Sequence, residues 1–211
     1  GYAFYGCSGL TSINIPEGVT SIGERAFAGC SGLTSIQIPE GLTNINYSIF
    51  NDCSGLMEIN VASNNPIYSS ENGVVYNKEK TKIIYVPKGI KDEIVIPDGV
   101  TSIEGYAFSG CSSLTSIQIP ESFTSIGGSA FSGCSGLTSI NIPEGVTNIG
   151  GFAFYGCSSL ASINIPESVK AIGCSAFEGC YNLDVVIYNS ENNVSVDYYA
   201  FQGCKSVTYL K

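Results

Sequence analysis

The chain has 211 residues, 18 acidic and 9 basic, for a net charge of −9, with 25 Gly, 9 Cys and neither His nor Trp. The length suffices for a sizeable core, and 44% apolar against 13% charged residues excludes a disordered acidic tail. The acidic balance excludes nucleic acid as the main partner, no apolar run approaches the roughly 18 residues of a membrane span, and the missing His removes the commonest general base and nitrogen metal ligand.

Repetition governs everything else. An Ala-Phe pair recurs at Ala3-Phe4, Ala26-Phe27, Ala107-Phe108, Ala130-Phe131, Ala153-Phe154, Ala176-Phe177 and Ala200-Phe201. The Phe positions step by 23 from Phe4 to Phe27 to Phe50, and again from Phe108 through Phe131 and Phe154 to Phe177. The step to Phe201 is 24. Each unit reads approximately A-F-x-G-C-S-x-L-T-S-I-x-I-P-E-x-V-T-S-I-G.

In the first unit Leu10, Ile13 and Ile15 end in a period of two, which predicts a short strand with one buried face. Pro16, Pro39, Pro120, Pro143 and Pro166 close that strand, because proline lacks the ladder donor. A second apolar pair, Val19 and Ile22, precedes Gly23 and the Ala-Phe turn. Three chain reversals per unit make each unit one coil of a solenoid, whose apolar face is buried only by stacking on its neighbours.

The repeated L-x-x-I-x-I-P and I-G-x-x-A-F motifs resemble the BspA-like bacterial class of leucine-rich repeats, over essentially the whole chain. The resemblance implies a mostly β, curved leucine-rich-repeat solenoid. It would carry a parallel sheet on the concave side and short strands or 3₁₀ turns on the convex side. It also implies a surface or secreted protein of a host-associated bacterium, acting in adhesion and protein binding.

Leu10, Ile13, Ile15, Val19, Ile22, Ala26, Phe27 and Cys30, with their equivalents, are expected to point inward. About nine coils spaced by about 4.8 Å would make a sheet on the order of 40 Å long. Its outward positions are Thr11, Ser12 and Asn14 and their equivalents, such as Thr138, Ser139 and Asn141. Such a face either solvates the sheet or offers a shallow surface to an extended polar ligand such as a glycan. Two coils break the pattern, at Met57, Glu58 and Asn60 and at Asp184, Val185 and Ile187. If this face binds selectively, these two coils are where it is expected to do so.

Phe50 and Phe108 are 58 apart, so residues 62–93 form an irregular repeat. Val74-Val75-Tyr76 and Ile83-Ile84-Tyr85 flank the polar stretch Asn77 to Thr81 and predict a β-hairpin. Lys78, Lys80, Lys82, Lys88 and Lys91 sit here, interleaved with Tyr68, Tyr76 and Tyr85. A basic, tyrosine-bearing projection would dock an acidic partner; alternatively, the lysines guard an exposed edge. Tyr76, Lys78, Lys80, Lys82 and Tyr85 are therefore candidate partner-binding residues, beside Met57, Glu58, Asp184 and Ile187.

Cys7, Cys30, Cys53, Cys111, Cys134, Cys157, Cys180 and Cys204 share one position of the unit, and Cys174 stands outside it. At an inward position a thiol is a small apolar filler, so free buried thiols are expected. With no C-x-x-C pair and no His, neither zinc binding nor cysteine catalysis is expected. Glu17, Glu40, Asp98, Glu121, Glu144 and Glu167 form a line of single carboxylates just after the prolines, without the ligand-rich loop that calcium requires.

No cofactor, metal or catalytic residue is expected. The chain opens mid-unit at Gly1-Tyr2-Ala3-Phe4 and stops within a strand pattern, Ser206 to Lys211, which suggests an uncapped fragment able to associate end to end. The expected function is a non-catalytic binding or adhesion module recognising a protein or glycan outside the cell. A structural spacer with no ligand is the alternative.

Overall fold

The computed structural model describes residues 1–188 and 193–210, and all regular structure among them is strand. Lys211, placed by the sequence pattern in the last strand, lies outside the described residues. The chain divides into two units, Gly1–Ile90 and Lys91–Lys211.

In the first unit, β1 (Ser35–Ile38) and β2 (Glu58–Val61) pair in parallel, Ile36 opposite Ile59 and Ile38 opposite Val61. Their alternation buries Ile36, Ile38 and Ile59 and turns Ser35, Gln37 and Glu58 to solvent. The expected inward residues behave as such. Ile15, Ala26, Phe27 and Cys30 are buried, and Leu10, Ile13, Val19 and Ile22 pack half-buried against the same core.

The irregular segment is a three-stranded antiparallel meander: β3 (Tyr68–Glu71), β4 (Val74–Asn77) and β5 (Lys82–Tyr85). The expected β4–β5 hairpin is present. Asn77 organises its turn, its Oδ1 accepting from the Thr81 and Lys82 amides at 2.9 and 2.7 Å. A second hairpin precedes it. Asn72 and Gly73 both have positive φ (49° and 79°) between β3 and β4, the turn whose twist suits a two-residue hairpin loop.

The second unit carries two rows of strands. One contains β6 (Asp92–Val95), β8 (Leu114–Gln118), β10 (Ser139–Ile140), β12 (Ser162–Ile165), β14 (Asp184–Ile187) and β16 (Ser206–Tyr209). These pair in parallel as β6–β8–β10 and β12–β14–β16, and the Ala161 amide bridges to the Thr138 carbonyl at 3.4 Å. The other row is made of two-residue strands: β7 (Ser102–Ile103), β9 (Ser125–Ile126), β11 (Asn148–Ile149), β13 (Ala171–Ile172) and β15 (Ser195–Val196). They also pair in parallel, in chain order. Of the two expectations for this side, short strands and not 3₁₀ turns are what the described residues adopt.

Between the rows the phenylalanines stack. Ring centroids lie 4.9 Å apart for Phe108–Phe131, 5.1 Å for Phe131–Phe154 and 5.0 Å for Phe154–Phe177, close to one strand spacing per coil. In the first unit the stack runs Phe4–Phe27–Phe50 at 5.3 and 5.8 Å, and Tyr85 then meets Phe50 edge-on at 5.7 Å. Tyr85 of the meander thus fills the place where the next coil would supply a phenylalanine.

Candidate functional site

Each cysteine of the repeat is held by a local turn. Its amide closes a four-residue turn onto the Phe carbonyl of its own coil, as Cys30 does to Phe27 at 3.0 Å and Cys157 to Phe154 at 3.1 Å. Its Sγ–H reaches the Phe carbonyl of the preceding coil: Cys30 to Phe4, Cys53 to Phe27, Cys134 to Phe108, Cys157 to Phe131 and Cys180 to Phe154, at 3.0–3.2 Å. A Phe carbonyl therefore accepts twice, once from each coil. All nine cysteines are free thiols, with Cys7 exposed and Cys174 and Cys204 half-buried. Burial pushes Cys53 up to about 11 and Cys204 up to about 12, so these thiols stay protonated and unreactive.

The strand faces are largely self-satisfied. Thr138 Oγ1 donates to the Thr115 carbonyl and Thr115 Oγ1 to that of Asp92, both at 3.0 Å. On the other row Thr147 bonds to Thr124 at 3.3 Å and Thr124 to Thr101 at 3.4 Å. Gln118 Nε2 donates to Glu93 Oε1 at 2.7 Å. Among the described residues no three His, Cys, Asp or Glu gather as a metal would require, and no helix is long and apolar enough to cross a membrane.

The hairpin is not a projection. Tyr76 and Tyr85 are buried, at 3% and 0% exposure, and Tyr85 Oη donates to the Phe50 carbonyl at 3.3 Å. Tyr68 is buried too, its Oη accepting from the Ile45 amide at 3.2 Å. These residues close the core because the meander stands in for a coil, so Tyr76 and Tyr85 are withdrawn as docking residues. Burial also raises the Tyr76 hydroxyl to about 12.

The hairpin lysines are engaged. Lys78 Nζ donates to the Ser63 and Asn65 carbonyls at 2.9 and 2.6 Å, and Lys80 Nζ pairs with Glu71 Oε2 at 2.6 Å. Lys82 is half-buried, and Lys88 is buried with its ammonium 5.2 Å from the Tyr85 ring centroid.

Met57 and Glu58 are exposed on the strand face, as the spacing predicts. Ile187 is not, nor is Val185: both are fully buried. The register of β12 with β14 places Ser162 opposite Asp184, Ile163 opposite Val185 and Ile165 opposite Ile187, a step of 22 instead of 23. One missing residue between Leu183 and the strand flips its faces, so the outward side chains are Asp184 and Val186. Asp184 accepts from Lys205 Nζ and Ser206 Oγ, both at 2.6 Å, and the Lys205 ammonium holds its carboxyl below the usual range.

A set of aromatic side chains is also open to solvent. Tyr2, Tyr5, Tyr106, Phe152, Tyr155, Tyr198 and Tyr199 are exposed around the Ala-Phe turns. Tyr2 and Tyr5 lie 5.5 Å apart, and Phe152 and Tyr155, at the same two unit positions, 5.9 Å apart. Sequence reading passed over these rings. Their signal was present: two residues before the Phe of the repeat, aromatic residues alternate with Ser or Arg, and one residue after it Tyr5 and Tyr155 stand where other units have Ala, Asn, Ser, Glu or Gln.

The BspA type leucine-rich repeat region, in six copies, matches residues 1–92 and 91–208. Among solved structures, the pneumococcal vaccine antigen PcpA is 26% identical at a TM-score of 0.75, over 88% of this chain and 47% of that one. A leucine-rich repeat protein from Eubacterium ventriosum is 32% identical at 0.74, over 90% of this chain and 57% of that one. A leucine-rich cell surface protein from Faecalibacterium prausnitzii is 31% identical at 0.63, over 92% and 65% respectively. The chain thus spans between about half and two thirds of these relatives. No curated protein sequence matches it. The family and these relatives are leucine-rich-repeat proteins, typically without enzymatic activity. Two strand rows, a stacked phenylalanine core and a 23-residue unit matched over nearly the whole chain have one reading: the protein belongs to the BspA-type leucine-rich-repeat family.

Proposed function

We propose that the chain is a non-catalytic binding and adhesion module of a bacterial surface or secreted protein, recognising a protein or glycan outside the cell. The observation that carries this is the set of exposed Tyr and Phe side chains on turns held by a regular hydrogen-bond ladder. Aromatic residues supply much of the energy at binding surfaces, and fixed backbone lowers the entropic cost of presenting them. The names of two similar structures, a vaccine antigen and a cell surface protein, support display outside the cell.

The self-satisfied threonine rows favour a second reading, a spacer that holds neighbouring domains apart. Surface plasmon resonance with the immobilised chain against extracellular-matrix proteins, mucins and glycans separates the two. A binding module captures at least one of them with a micromolar Kd. Silence across the whole panel at high micromolar concentration establishes the spacer.

A further inference from the structure

The second unit holds two aromatic rows, one inside and one outside, built on different rules. The inner phenylalanines occupy every coil and stack. The outer row lies two residues before each Phe of the repeat, at Tyr106, Ser129, Phe152, Ser175 and Tyr199. Equivalence along it is fixed by backbone bonds from one coil to the next, from the amides of Tyr106 to Gly128, Ser129 to Gly151, Phe152 to Cys174 and Ser175 to Tyr198. Large rings alternate with small serines. Tyr106, Phe152 and Tyr199 are 41%, 42% and 62% exposed, while Ser129 and Ser175 are buried.

The backbone argues against packing as the reason for these rings. All five positions are left-handed, with φ of 64°, 55°, 57°, 52° and 59°. Bulky side chains are disfavoured in that region, where Gly and Asn are the easy choices. Three rings held in that disfavoured conformation, each with two fifths or more of its surface open to solvent, point to use.

Their spacing says what kind. One coil advances the inner rings by 4.9 to 5.1 Å, so alternate coils set the outer rings about 10 Å apart. Two residues of an extended β-1,4-linked sugar chain repeat over a similar distance, each presenting an apolar C–H face that stacks on an aromatic ring. Three residues further on in each coil runs a companion row, Ser132, Tyr155, Glu178 and Gln202 among them. The Phe152–Tyr155 ring contact shows that the two rows adjoin. Hydroxyl, carboxylate and amide groups beside apolar rings match the two faces of a sugar. The charge selects further. Residues 91–211 contain eleven acidic and four basic side chains, which disfavours anionic polysaccharides.

We propose that Tyr106, Phe152 and Tyr199 form a stacking track for a neutral, extended β-linked polysaccharide, aligned along the solenoid axis of this unit. This rests on the binding reading above and names its ligand class and residues.

Isothermal titration calorimetry of the whole chain with cellohexaose, chitohexaose and β-1,4-mannohexaose tests it, with the curling α-linked maltohexaose as comparison. The variants are Tyr106→Gly, Phe152→Gly and Tyr199→Gly, because glycine removes the ring and suits the left-handed backbone, so folding is preserved. Tyr181→Ser removes an exposed ring outside the track. The track predicts binding of at least one β-linked hexasaccharide but not of maltohexaose. Phe152→Gly weakens binding about tenfold, one ring's stacking energy being of that size, and Tyr181→Ser leaves it unchanged. Glycan binding that survives all three glycine substitutions overturns the track. So does a chain that binds a matrix protein but no β-linked hexasaccharide, an outcome that keeps the broader binding reading. A chain that binds neither defeats both.

Discussion

The cysteine of the repeat illustrates how one residue type satisfies two constraints. It fills a small apolar site, which its recurrence at an inward position made legible in the sequence. It also caps a carbonyl of the preceding coil, as Cys134 does for Phe108 at 3.1 Å. That second role depends on a partner in the preceding coil, which the spacing alone does not reveal. Replacing Cys134 by Ala therefore removes both a packed sulfur and a donor, and is expected to cost about 1–2 kcal/mol in urea denaturation. Thiol chemistry follows the same geometry. A thiol reagent added to the native chain should label exposed Cys7 first, and the fully buried ladder only after unfolding. Alkaline pH gives a separate check. Burial raises the folded-state values of Cys53 from 9.0 to about 11 and of Tyr76 from 10.0 to about 12, so the folded chain holds these protons longer than the unfolded one. From these groups, stability is unaffected below about pH 9 and falls as pH rises through these windows, measured as a declining Tm.

At the scale of elements, the regular coils were readable and the exceptions were not. The L-x-x-I-x-I pattern and the closing prolines located the strand rows, since alternation and a missing donor are local properties. The Asn72-Gly73 pair is the sequence signal of the meander's second hairpin, while the inward turn of its tyrosines follows only from the meander replacing a coil, which no local pattern encodes. Tyr85 is in fact the end of the first unit's aromatic stack, so Tyr85→Ala should cost about 3–5 kcal/mol. Asn65, fully buried, ties the meander to the preceding coil. Its Nδ2 donates to the Pro39 and Leu42 carbonyls at 3.0 and 2.9 Å, while its Oδ1 accepts from the Ile67 and Tyr68 amides at 3.0 and 2.9 Å. The misplaced faces of β14 have an equally local cause, one residue fewer after Leu183, invisible to a fixed 23-residue ruler. Coil-to-coil contact is close enough to exclude even a methyl group: a Cβ on Gly150 would lie 2.5 Å from the Gly128 amide nitrogen. Gly150→Ala is expected to destabilise by about 1–3 kcal/mol, read from the denaturation midpoint.

Across the whole molecule the division is between buried rings that stack coil on coil and exposed rings, the ones proposed to meet a ligand. Length and composition foretold a large core but not this division, because Phe154 and Phe152 are the same residue type two positions apart. Only the coil geometry separates them, burying Phe154 and exposing Phe152. On the hairpin the geometry works the other way, with the Lys78 and Lys80 ammoniums and the Tyr85 hydroxyl bonded within the chain. The most direct test of the central claim sets three proteins side by side on the same matrix-protein and glycan panel. These are the native chain, the chain with Tyr106, Phe152 and Tyr199 all replaced by Gly, and the chain carrying Lys80→Gln with Lys82→Gln. Binding by the native and lysine-substituted chains, lost when the three rings are removed, is the predicted result; binding that survives without the rings but disappears with the lysines would contradict it.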